Sequence, residues 1–416
     1  GVVYATNGEE GRIDPFNADT GVLLGSIDLT GIAGFDGVQS VAVKNGIVAA
    51  AIAGEDAANG FVAFFSPTGQ FLGRVEVGNL PDNVSFTPDG SRVLVANEGE
   101  PIDADTDPAG SVSIIDLSNG VLNATVNTLD FADVDLSAAR IVGDRGAALD
   151  VEPEYIATNA AGTRAYVSLQ EANAYATVDL TTNTILDVKS FGTVDHSLPG
   201  NGIDSSDRDG AINITARPVQ GLRMPDAIAT FAVGGTTYLV TANEGDARDL
   251  DGDETRLSDA AEDGLLDPAL LAALQADGLL ADEEMGRLNI SAVDGDTDGD
   301  GDIDELYSYG SRGFTIFDAD TGAVVFDSGD DFAQIIANVN PLSVLTAWNV
   351  MRDRRDLEQA GEGWVWLDRR QTTRFRLDEN FMVIAAEHNG EPAAWTSCDD
   401  LEAVPRDRPP VFWAKP

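Results

Sequence analysis

Short runs of alternating apolar and polar residues fill most of the first 330 positions, and the runs return in a fixed order. Four stretches share one grammar: "FDGVQSVAVKNGIVAAAIAGED", "LPDNVSFTPDGSRVLVANEGEP", "VEPEYIATNAAGTRAYVSLQEA" and "MPDAIATFAVGGTTYLVTANEGDA". Each opens at an acid (Asp36, Asp82, Glu154, Asp226), runs through an apolar strand of period two, and turns at polar or glycine residues such as Pro88-Asp89-Gly90. A second apolar strand then ends at another acid (Glu55, Glu98, Glu171, Glu244), with the paired acids 19, 16, 17 and 18 residues apart. A third strand follows, as in "SVSIIDL" and "AYATVDL", then a polar turn and a fourth. Four short strands per repeat with turn residues between them predict the blades of a β-propeller. A β-sandwich also uses short strands but would not repeat the paired acids.

The opening "GVVYATNGEEGRIDPFNADTGVLLGSIDL" reads as the second, third and fourth strands of a blade that lacks its first. Closing such a ring calls for a strand from the C-terminal end. Five repeats are visible up to about residue 330, and six or seven blades are expected. The fold class is therefore all-β, with helical and acidic-loop insertions. One insertion, residues 256 to 288, carries "LLDPALLAALQADGLLADEEMGRL", in which Asp267 can cap a helix, Pro268 suits its first turn and Gly278 breaks it. The segment from 131 to 149 is expected to hold another short helix.

Composition separates the last 79 residues from the rest. Of a formal net charge of −46, the tail from 338 to 416 carries only −3, from ten basic and thirteen acidic residues. All five tryptophans (Trp348, Trp364, Trp366, Trp395, Trp413) and the single cysteine, Cys398, also lie there. Residues 1 to 337 are thus read as the propeller and 338 to 416 as a Trp/Arg-rich segment that could supply the closing strands, with "GWVWLDRR" and "FMVIAAE" the most strand-like runs. A field this acidic repels nucleic acid and anionic membranes and suits divalent cations. No apolar run reaches membrane-spanning length, and one cysteine allows no internal disulfide. The start at Gly1, without a methionine or signal peptide, fits a processed product. Asp/Gly/Thr/Asn-rich composition and only three lysines favour an extracellular or periplasmic setting.

Several motifs resemble the choice-of-anchor I domain family: "DHSLPGNGIDSSDRDGAINI" (195 to 214), "MPDAIATF", "TANEGDARD" and "DIDELYSYGSRGFTIFDADTGAVVFDSGDDF". The resemblance covers about residues 1 to 337 and ends after "FAQIIANVNP". It implies a seven-bladed, secreted or surface-anchored bacterial propeller, some of whose relatives carry the label alkaline phosphatase, and it brings no catalytic residues with it.

The densest oxygen-ligand stretch is "VDGDTDGDGDIDELYSYG", residues 293 to 310. Calcium takes about 6–8 oxygens, placed in a twelve-residue loop at positions one, three, five, seven, nine and twelve. Two registers fit. One starts at Asp296 and uses Asp298, Asp300, the Asp302 carbonyl and Asp304, with Ile303 at the packing position and Tyr307 at position twelve. The other starts at Asp294 and uses Asp296, Asp298, the Asp300 carbonyl, Asp302 and a bidentate Glu305, satisfying the full loop motif. The flanks "RLNISAV" and "YSYGSRGFTIFD" look like strand, so a calcium loop inserted in a blade is expected rather than a pair of flanking helices. Weaker acidic clusters are Asp103, Asp105, Asp107; Asp249, Asp251, Asp253; and Asp204, Asp207, Asp209.

In a propeller, the loop after strand two and the loop leading into strand one share a face. Asp36, Asp82, Glu154, Asp226, Glu98, Glu171 and Glu244 would therefore gather around one channel mouth, with Arg208, Arg223, Arg248 and Arg312 as counter-charges. Crowded like charges call for a cation, an arginine or protons. Inventory removes most enzymes: His196 and His388 are the only histidines, and no GxSxG elbow, P-loop or dinucleotide fingerprint is present. The reading is a secreted, calcium-binding surface module for binding or assembly, its partners calcium and another surface protein or a polyanion bridged by calcium. The alternative is a calcium-dependent phosphoesterase, alkaline phosphatase- or phytase-like, in which Glu244 or Asp226 acts as base on a calcium-oriented water.

Overall fold

The structure is a computed structural model that describes residues 1–55, 58–101, 106–143, 146–248 and 252–339, with four further strands between 364 and 392. It divides into one unit of Gly1–Ser206 with Thr215–Asp331 and a second of Asp207–Ile214 with Phe332–Pro416.

Within the first unit the repeat grammar becomes four-stranded antiparallel sheets, each ordered as in the sequence. They are Gly37–Lys44, Ile47–Ala53, Asn59–Phe65, Phe71–Asn79; then Pro81–Phe86, Arg92–Asn97, Ser111–Asp116, Thr125–Asp130. Pro153–Thr158, Arg164–Leu169, Ala174–Asp179 and Thr184–Ser190 form the next, and Pro225–Val233, Thr236–Asn243, Phe314–Asp318 and Val324–Asp327 the last. The opening residues give a three-stranded sheet, Val2–Asn7, Arg12–Asn17 and Ile27–Asp28.

Inner strands are apolar on both faces, and this explains runs such as "IVAAAIA", which alternation alone would not require. Val48, Ala50 and Ile52 pack with Ile13, Ile27 and Leu29 of the opening sheet, whereas Ala49 and Ala51 pack with Val84, Val93 and Val95 of the following one. The same division of odd and even positions sets Leu94 and Ala96 against Ile156 and Val167. Tyr166 and Tyr175 then meet Ile228, Leu239 and Phe317. Consecutive sheets therefore stack face to face in chain order. Each fully buried large side chain adds about 1.5–3 kcal/mol.

The last of these sheets is interrupted: its second and third strands are bridged by Asn243 and Thr315, 72 residues apart. The excursion helps build a five-stranded mixed sheet in the order Thr193–Asp195, Gln220–Leu222, Tyr307–Tyr309, Asn289–Ser291, Glu254–Arg256, whose second and third members run parallel. The acidic loop joins two strands of this sheet and is not inserted directly in a repeat. Helices Leu257–Asp263 and Pro268–Ala276 cover it. Asp267 caps the latter, accepting from the Ala269 and Leu270 amides at 2.8 and 3.0 Å.

No α-helix forms among the described residues of 131–149, only a 3-10 turn at Ala147–Leu149. The backbone there folds around a side chain instead, since Asp150 accepts from the Val142 and Gly143 amides at 3.1 and 2.8 Å. In the second unit, Trp364–Trp366, Thr373–Leu377, Val383–His388 and Glu391–Pro392 form an antiparallel sheet. The two runs expected to close the ring supply Trp364–Trp366 and Val383–His388 to this sheet, while Trp348, Trp395 and Trp413 lie outside the described residues. No helix among the described residues is long and apolar enough to cross a membrane.

Candidate functional site

The acids that open the repeats sit on a specific backbone irregularity. In the second repeat, Pro81 pairs with Asn97 and Asn83 with Ala96, which leaves Asp82 in a bulge. Glu154 lies in the corresponding bulge between Pro153 and Ile156, and Asp226 in that between Pro225 and Ile228. A bulge bends its strand and re-aims the extra side chain. Proline before the acid removes one ladder donor. Leu80 and Met224, just before two of these prolines, have φ of 41° and 38°. Their carbonyls accept the Glu98 and Gly245 amides at 2.9 and 3.0 Å, tying each first-strand opening to the end of its second strand. Side chains link successive sheets at the same level: Asn83 accepts from the Ile156 amide at 3.3 Å, and Ser168 donates to the Asp226 carbonyl at 2.8 Å. The first repeat differs. Its bulge falls at Gln39, between Val38 and Ser40, and Asp36 and Glu55 are exposed.

Three of the acids meet directly. Carboxylate oxygens of Asp82, Glu98 and Glu154 all lie within 4.8 Å of one another. Asp82 and Glu154 lie close enough to share a proton. Burial, together with the charges of Glu171, Glu98, Asp82 and Asp226, pushes the Glu154 carboxyl up to about 11. Glu98 is pushed up to about 8 by burial and by Glu100, Asp82, Glu152 and Asp246, and Asp82 to about 6 by burial and Asp226. Glu171, only 7% exposed, is raised well above the usual range by burial and by Glu152, Glu98 and Asp246. Its Oε2 has no hydrogen-bond partner among the described residues. Asp226 is raised by burial and by exposed Glu244.

The expected counter-charges go mostly elsewhere. Arg223 bonds Asp327 at 2.9 Å and the Phe191 carbonyl, Arg208 lies 3.5 Å from its neighbour Asp207, and Arg312 acts on His196. Arg248 is fully buried and meets Asp107 at 3.0 Å, Glu152 at 3.3 Å and Asp150 at 3.5 Å. Glu152 is nevertheless raised to about 8, because burial outweighs a guanidinium shared among three acids. Arg140, which sequence reading passed over, binds Asp253 and, at 2.6 Å, Asp294. Of the weaker clusters, Asp103, Asp105, Asp249 and Asp251 lie outside the described residues.

In the acidic loop, Asp294 is thus held by Arg140 and by the Ser291 hydroxyl at 2.7 Å. Glu305 accepts from Gln220 and Tyr307, each at 3.1 Å. Asp296 receives the Gly299, Asp300 and Gly301 amides at 2.6, 3.2 and 3.0 Å. Oxygens of Asp296, Asp298 and Asp304 lie within 4.8 Å of one another, as do those of Asp267, Asp302 and Asp304. Asp298 is raised by the charges of Asp300 and Asp304, and Asp302 by burial and Asp300. Asp304 is lowered by the Thr297 hydroxyl and amide. Ile303 is buried against Leu266 and Leu306 and anchors the loop from beneath. Asp267 joins this group from the helix cap through a strand-like bridge between Leu266 and Ile303, a contact no loop motif contains. His196 is buried, with Nδ1 donating to the Asn201 carbonyl at 2.6 Å, which fixes the "DHSLPGNG" loop.

The raised acids set a pH dependence. Groups held above their unfolded values contribute stability that is complete below about pH 4 and is lost as the pH rises through the folded values. In chelator, thermal melts are expected to show stability falling between about pH 4 and pH 8, the window spanned by Asp82 at about 6 and Glu98 and Glu152 at about 8. A flat or rising profile there would contradict the clustering.

Among known proteins, no curated protein matches this chain. Among solved structures it is similar to hydrazine synthase of Kuenenia stuttgartiensis at 14% identity, over 58% of this chain and 64% of that one, with a TM-score of 0.38. A protein from Lactobacillus plantarum is 15% identical over 61% of this chain and 62% of its own, with a TM-score of 0.38. A chain of a nidogen/laminin complex is 13% identical over 45% and 59%, at 0.30. The chain spans less than two thirds of the length of each. The model of the choice-of-anchor I domain matches residues 1–360, past the point where the sequence motifs stop. The chain belongs to the choice-of-anchor I domain family.

Proposed function

We propose that this chain is a calcium-stabilised β-propeller that serves as a binding or assembly module outside the cell or at its surface. Family membership and the absence of a membrane-spanning helix among the described residues support the location. Face-to-face stacking of successive four-stranded sheets supports the propeller. The observation that carries calcium is the Asp296, Asp298, Asp304 group, whose oxygens converge while Asp296 also gathers three amides of the turn. With Asp294 and Glu305 engaged elsewhere, the register starting at Asp296 is preferred. The ion lets the loop present a fixed, charged surface to a protein or polyanionic partner.

Calcium is expected to raise the melting temperature and EDTA to lower it, by about 2.7 kcal/mol of stability at a hundred times the dissociation constant. Asp296→Asn with Asp298→Asn should lower that response in calorimetric melts. An unchanged response would refute the loop site. Calcium-dependent release of phosphate from p-nitrophenyl phosphate would replace the module by a phosphoesterase.

A further inference from the structure

We propose that Asp82, Glu98 and Glu154 hold a second divalent cation, of the calcium type, separate from the acidic loop. Their oxygens fall within 4.8 Å of one another, the span of a coordination sphere with a radius of about 2.4 Å. All three ligands are carboxylates, a hard donor set that suits calcium, magnesium or manganese. An independent observation points the same way. Glu171 is buried to 7% exposure, is the charge that acts most strongly on Glu154, and has no partner for its Oε2 among the described residues. A buried oxygen left without a donor is costly, and a cation among these acids supplies what is missing.

The groups acting most strongly on Asp82, Glu98 and Glu154 are all acidic, while Arg248 is spent on Asp107, Asp150 and Glu152. Relief has to come from protons or from a metal. The scaffold favours a metal, because two of the ligands are re-aimed by proline-led bulges in successive sheets and the third ends the strand beside the first. An ion there fastens the sheet of Pro81–Phe86 to that of Pro153–Thr158.

The test uses the full chain with the loop silenced by Asp296→Asn, Asp298→Asn and Asp304→Asn, dialysed to equilibrium against radioactive calcium chloride at about pH 8. One ion per chain should remain, and calcium should still raise the melting temperature. Adding Glu154→Gln should weaken binding at least about tenfold and abolish that rise, whereas Asp36→Asn should change neither. If the loop-silenced chain does not fold by circular dichroism, Glu154→Gln and Asp82→Asn in the natural chain should each lower the stoichiometry from two ions to one. A silenced chain that binds no calcium, or binds it equally with Glu154→Gln, overturns the proposal in favour of protons alone. That outcome leaves the loop site standing, since the unaltered chain would still bind its one ion there.

Discussion

Replacing Arg248 with methionine is expected to destabilise the fold by about 3–5 kcal/mol, measured by urea denaturation near neutral pH. The side chain is fully buried, and its guanidinium is shared by Asp107, Asp150 and Glu152. Methionine fills much of the volume but leaves three buried acids without their cation. Those acids can then only take up protons, so the deficit should shrink in melts at about pH 5. A loss below about 1 kcal/mol, the range of an exposed ion pair, would mean that water reaches these groups.

The second large effect is steric. Gly245 and Gly310 press backbone against backbone: a Cβ on Gly310 would land on the Glu244 carbonyl, and one on Gly245 on the Gly310 backbone. Both glycines have positive φ, 97° and 74°. Gly310→Ala therefore combines a left-handed conformation, worth about 1–2 kcal/mol, with a clash that only backbone movement relieves. A loss above about 4 kcal/mol is expected in the same denaturation assay. Gly264 is the control, because its φ is 74° but nothing lies near its Cβ, so Gly264→Ala should lose only about 1–2 kcal/mol. Equal losses at the two positions would dismiss the close approach.

The first three four-stranded sheets were legible because their strands are six to nine residues long and are separated by glycine and Asp/Asn turns. The mixed sheet was not. Its strands of three residues are too short for a period of two, and the parallel pairing of Gln220–Leu222 with Tyr307–Tyr309 is a long-range contact. Among the acids, the repeat grammar named Asp82, Glu98, Glu154, Glu171, Asp226 and Glu244, each of which lies within electrostatic reach of at least one other. It also named Asp36, which is exposed. The distinguishing signal is the proline before Asp82, Glu154 and Asp226, absent before Asp36. Glu152 was missed although it stands just before Pro153. Arg140 and Asp267 could not be found by spacing, because Arg140 meets Asp253 across 113 residues and Asp267 reaches the loop through a bridge.

The interrupted sheet also dictates an order of assembly. In the sheet that begins at Gly37, the chain passes from Ala53 to Asn59 and can zip the second and third strands as a hairpin. After Asn243 the partner strand arrives 72 residues later, and closing that loop costs roughly 2 kcal/mol more entropy than closing the short one. On the ribosome, at ~5–20 residues per second, the wait lasts roughly 4–14 s. Throughout it the edge of Thr236–Asn243, with Tyr238 and Leu239, has no partner strand. Nascent chains of this protein are therefore most prone to aggregate while the acidic excursion is being made, and its negative charge, emerging at that moment, keeps neighbouring chains apart.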